Sequence, residues 1–128
     1  MGALSKYLRN VAGGGLTFWC EGCREAHTVW VGEGGGPRWT WNGDAERPVF
    51  SPSVLVRGTQ VERDADGRWT GEWKRDAAGN PLPRVCHTFI GCNGAQPGEI
   101  TYLGDCTHEL AGQVRPLAEM PGYRSTEE

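Results

Sequence analysis

The chain has 128 residues, 38% hydrophobic and 23% charged, with a formal net charge of −3, a composition that fits one folded domain and excludes a disordered polymer. The acidic balance, with a pI near 5.6, argues against a protein whose main work is neutralising duplex phosphates. No apolar run approaches the roughly 20 residues of a membrane span, and "MGALSKYLRN" matches neither a secretory signal nor the myristoylation pattern, so the expected compartment is the cytoplasm.

Twenty glycines and eight prolines favour short strands joined by turns. In chain order, "GLTFWC" and "HTVWVG" predict two strands around the turn "EGCREA". After the flexible "GEGGG" loop, "RWTWNGD" predicts a strand with Trp39 and Trp41 on one face, closed by an Asn42-Gly43 turn. The extended "RPVFSPS" follows, where Pro48 and Pro52 exclude helix, and leads into the strand "SVLVRG". Residues 59–84 are polar and turn-rich and read as a variable insertion within the single domain 1–128. "VCHTFI" and "EITYLGD" then predict a hairpin. With Ile90 opposite Ile100, Cys86, Tyr102 and Cys106 share one sheet face, and His87, Phe89, Leu103 and Asp105 the other. "THELAGQV" predicts a short helix capped by Thr107 or Asp105, followed by a loosely ordered tail over 116–128. The expected fold is a small, mainly β, antiparallel domain stapled by zinc, with one short C-terminal helix.

The zinc expectation comes from the cysteines. Five of them, an odd number in a cytoplasmic setting, do not make a disulfide framework. Cys20 and Cys23 form a Cys-x-x-Cys turn, and each histidine (His27, His87 and His108) lies within four residues of a cysteine. A tight turn supplies two ligands of a tetrahedral Zn²⁺ site, and the second pair must come from elsewhere in the fold. The expected ligands are Cys20, Cys23, Cys86 and Cys106, with His27 and His108 as substitutes. Cys92, in a loop, is set aside, and iron is the less suitable occupant. The spare histidines, with Asp105 and Asp44, could form a second, open site or supply general acid–base groups, while Ser51 and Ser53 could cap a turn or bind an anion and Asp44 could orient a histidine.

Other chemistries are excluded by pattern. "HELAG" has Gly112 where a zinc-protease motif needs a second histidine. The deaminase order of His-x-Glu before Pro-Cys-x-x-Cys is missing, as is any phosphate-binding glycine fingerprint. Of six tryptophans, Trp19, Trp39 and Trp41 read as core, whereas Trp69 and Trp73 in the polar insertion read as an interface. Arg63, Arg68, Lys74 and Arg75 surround that pair, but Glu62, Asp64, Asp66 and Glu72 dilute a nucleic-acid signal.

The segments "FWCEGCREAH", "WTWNGDAERPVFSPSVLVRG", "VCHTFI" and "ITYLGDCTHELAGQ" together resemble a family of small uncharacterised bacteriophage and prophage proteins, sometimes labelled ammonia monooxygenase. The chain departs from that pattern in its larger "GCNGAQPG" loop and in Val49, where threonine is common. The resemblance implies a phage-encoded zinc-binding protein. The label finds no support in the residues, which show neither a membrane span nor a copper-oxygenase pattern. The function expected from the sequence is an accessory binding module that engages a host or phage macromolecule, a protein rather than nucleic acid, with no catalytic residue assigned. The alternatives are a metal-dependent hydrolase built on His87, Asp105 and His108, and a virion component.

Overall fold

The computed structural model describes residues 2–122. The strands are β1 (Arg9–Val11), β2 (Gly15–Cys20), β3 (Glu25–Trp30), β4 (Thr40–Trp41), β5 (Phe50–Thr59), β6 (Val61–Arg63), β7 (Trp69–Trp73), β8 (Pro83–Ile90), β9 (Glu99–Tyr102) and β10 (Val114–Pro116). They form a three-stranded sheet in the order β1-β2-β3, a five-stranded sheet in the order β10-β9-β8-β5-β4, and the separate hairpin β6-β7. Every named strand pair is antiparallel.

Alternation decides which residues meet between the sheets. In β2, Leu16, Phe18 and Cys20 are buried, and in β3 the buried residues are His27 and Val29. In the larger sheet Phe50, Val54, Cys86, Thr88, Ile90, Ile100 and Tyr102 are buried. The apolar members of both sets belong to one core, in which the Phe18 and Phe50 rings lie 6.5 Å apart. The expected register holds, with Ile90 opposite Ile100 and Thr88 opposite Tyr102. Odd residues of β8 therefore point away from the core that the even ones enter.

The expected C-terminal helix is not formed, and no helix is present among the described residues. Tyr102 donates its N–H to Gln113 and accepts the N–H of Gly112, drawing the segment back onto the sheet as the turn between β9 and β10. The turn closes with bonds from Ala111 to His108 and from Gln113 to Leu110, the i to i+3 spacing of tight turns. Gly112 reverses the chain at φ 84°, a conformation that glycine adopts without Cβ strain. Leu117 and Met120 are buried, and residues 123–128 of the expected tail lie outside the described ones.

Candidate active site and metal centre

β5 and β8 pair from Val54–Thr88 to Thr59–Pro83, but the register shifts between Phe50 and Val54. Such an irregularity re-aims side chains relative to a regular strand, and Ser53 lies within it, after a cis Ser51–Pro52 bond. Its Oγ is 2.9 Å from His87 Nε2. The other ring nitrogen, Nδ1, lies 3.1 Å from Asp105 Oδ2. His87 is largely covered, with its side chain 26% exposed, while that of Asp105 is 55% exposed.

Asp105 reaches this position because the chain keeps following β8 after β9 ends. Leu103 donates its N–H to the His87 carbonyl, and Thr107 donates to that of Val85, both at 2.9 Å. Between them, Cys106 Sγ accepts the His87 N–H at 3.3 Å and lies 3.3 Å from the His87 carbonyl, to which the thiol donates. Cys106 therefore clamps the main chain of the histidine whose ring Asp105 holds. With Nδ1–H donated to Asp105, Nε2 is left to accept the Ser53 hydroxyl proton. This is the arrangement of a nucleophile, a base and the group that orients the base.

On the opposite face of β8 lies the second constellation. Cys20, Cys23, His27 and Cys86 are all buried, with ligand atoms within 4.8 Å of one another. Cys20 ends β2, Cys23 lies in the turn to β3, His27 joins from β3, and Cys86 crosses from the other sheet. The Cys20 and Cys86 sulfurs are 3.7 Å apart, close to the edge of about 3.8 Å of a tetrahedron with metal–sulfur bonds of ~2.3 Å. His27 Nε2 is buried with no hydrogen-bond partner, a costly state unless something binds it. Hydrogen bonds from Cys23 and Cys86 hold the Cys20 thiol far below its ordinary value, favouring its thiolate. Cys23 is pushed up to about 12, chiefly by its bond to Cys20, and Cys86 is pushed up by Cys20 and then Cys23. One anion thus suppresses two more, a frustration that a bound cation removes. The cluster can hold a metal ion.

The sequence placed Cys20, Cys23, Cys86 and Cys106 together. The structure brings the first three together with His27, and sets Cys106 in a second group with Cys86 and His108. His108 lies over the Cys-x-x-Cys turn, where a Cβ on Gly22 would collide with its imidazole. His108 therefore does not join His87 and Asp105 in a metal-dependent site. Asp44 orients no histidine; its Oδ1 accepts the N–H groups of Glu46 and Arg47 and closes a turn. Ser51 sits opposite Thr40 in the ladder. The placement of Ser53 against His87 had no local signature, and only the pairing of β5 with β8 reveals it.

Among the described residues, no helix is long and apolar enough to cross a membrane. The family model described as "Bacterial ubiquitination-like system serine protease (BubE)" matches residues 4–97. The matched segment includes Ser53 and His87, and Asp105 lies just beyond it. No curated protein and no solved structure matches the chain. A serine-protease family is not the accessory binding module expected from the sequence, which this finding overturns, and the match carries no link to bacteriophages. The match covers most of the chain, which belongs to the bacterial ubiquitination-like system serine protease family, BubE.

Proposed function

We propose that the protein is a serine protease in which Ser53 is the nucleophile, His87 the general base and Asp105 the residue that orients and stabilises His87. The observation that carries this reading is the continuous contact from Ser53 Oγ through the His87 ring to Asp105. In the reaction, Ser53 Oγ attacks the scissile carbonyl carbon as His87 Nε2 takes the hydroxyl proton. The resulting imidazolium is stabilised by Asp105 and returns the proton to the departing amine, leaving an acyl ester on Ser53. Water then attacks that ester with His87 again as base, releasing the acid and restoring the serine. The family description supports a protein of a bacterial ubiquitination-like system as substrate.

Zn²⁺ is the proposed occupant of Cys20, Cys23, His27 and Cys86, because three thiolates and one imidazole suit its softness and tetrahedral preference. With four protein ligands the site is closed, so the ion supplies cohesion between the sheets and no chemistry to the substrate.

A fluorophosphonate probe and p-nitrophenyl acetate test the catalytic reading. The probe's phosphonyl group should be recovered on Ser53 by peptide mass spectrometry, and Ser53→Ala should abolish both labelling and ester turnover, a loss of about 10⁴-fold or more. Labelling elsewhere, or turnover that survives in a folded Ser53→Ala variant, overturns it.

A further inference from the structure

β5 is an interior strand for only part of its length. β4 covers it at Phe50 and Ser51 alone, whereas β8 follows it as far as Thr59. Ladder bonds of an antiparallel pair alternate along each strand. In β8, the main chains of His87 and Val85 bond toward the 103–107 segment, so Cys86 and Thr88 bond toward β5. Their partners there are Val56 and Val54. The N–H and C=O groups of Leu55 and Arg57 consequently point away from β8, and among the described residues nothing pairs with them on that side. The edge is stopped at one end, where the Trp39 indole donates to the Ser53 carbonyl at 3.1 Å. Leu55 is 44% exposed and lies directly across from His87.

Resting on the serine-protease reading, we propose that the substrate segment preceding the scissile bond binds as an added antiparallel strand on the free edge of β5, hydrogen-bonded to the main chains of Leu55 and Arg57. The direction follows from the chemistry. An antiparallel strand arriving along Thr59, Arg57 and Leu55 delivers its C-terminal end to Ser53, which shares that strand. The acyl half of the substrate must stay in register through both acylation and deacylation, while the amine half must leave between them. A row of main-chain bonds therefore serves the acyl half. Strand addition of this kind derives affinity from the backbone and selects extended, unstructured chain over folded surface. The side chains of Leu55 and Arg57 flank the path, which fits an apolar residue near the scissile bond and tolerates an acidic one further from it.

The test uses the full chain and acetyl-(Ala)n thiobenzyl esters with n from one to four, beside p-nitrophenyl acetate. The expected result is that kcat/KM rises by about tenfold or more from n = 1 to n = 4 as main-chain bonds are added. N-methylation of single substrate amides should remove that gain at alternate positions and leave it at the others. Leu55→Pro and Arg57→Pro remove only outward-facing donors, as an edge strand permits, and should collapse the ratio of the n = 4 to the n = 1 rate toward one. Should either proline variant fail to fold, the methylated series decides the matter without it. A rate flat in n, or indifferent to N-methylation, overturns the edge inference while Ser53-dependent acetate turnover keeps the protease reading. Acetate turnover that does not depend on Ser53 overturns both.

Discussion

His87 is held at four points: both ring nitrogens, through Ser53 and Asp105, and both main-chain groups, through Cys106 and Leu103. As the proposed base, an imidazole fixed in this way meets Ser53 already oriented, which saves the reordering that a mobile imidazole would need. Asp105→Asn keeps the shape but substitutes a group whose amide can present a donor to Nδ1, favouring the wrong tautomer. We expect kcat to fall by about 10²- to 10⁴-fold with little change in KM, the lower end reflecting the solvent access of Asp105. Steady-state kinetics on a peptide thioester would check this. Much of the residue-level pattern was legible in the sequence, because a two-residue period placed His87 and Asp105 on one face and Cys86 on the other. Ser53 was not, because its partner is 34 positions away and its direction depends on a strand irregularity that no local motif announces. His27 had a readable signal: one alternation separates it from Val29, so both face the core.

At the level of elements, the turn between β2 and β3 depends on a close approach. Gly22 lies under the His108 imidazole, which also meets the Tyr102 ring edge-on at 5.1 Å. Gly22→Ala must displace that ring or the turn, and the expected cost is about 1–3 kcal/mol in urea denaturation. Gly35→Ala, with nothing near its Cβ position, should stay within about 0.5 kcal/mol. The β6-β7 hairpin behaves differently, because Trp69 and Trp73 are 51% and 42% exposed and meet at a tilt, with ring centroids 5.0 Å apart. Replacing both with alanine should change the melting temperature by less than about 4 °C, because their removal opens no buried cavity. Calorimetry would show it. Composition gave the hairpin's exposure, since its tryptophans sit among charges. The helix failed for the opposite reason: eight residues carried a plausible cap and pattern, but so short a helix is marginal in water and Tyr102 offered its main chain a better partner.

Across the whole molecule, Cys20, Cys23 and His27 belong to one sheet or its turn and Cys86 to the other, so a metal bound among them ties the two layers together. A strong chelator should lower the melting temperature on the order of 10–20 °C and abolish protease activity along the same concentration curve, with Zn²⁺ restoring both. Loss of activity without loss of stability would instead place the ion in the chemistry. Antiparallel pairing and a cysteine-based cluster able to hold a metal ion could be anticipated, because alternation and spacing are local properties. The division of labour between the faces of β8 could not, because it requires knowing which sheet each ligand comes from.

Cys86 and His87 are neighbours on that strand, one facing the Cys20, Cys23 and His27 cluster and the other Ser53. Their separation is a single peptide unit, so the two sites have no independent freedom to drift. Inserting one codon between Val85 and Cys86, with the strand before it held in register, would turn the imidazole inward and the thiol outward, disabling both at once. Lineages carrying this domain should therefore vary in loop length almost anywhere before they vary in the length of β8.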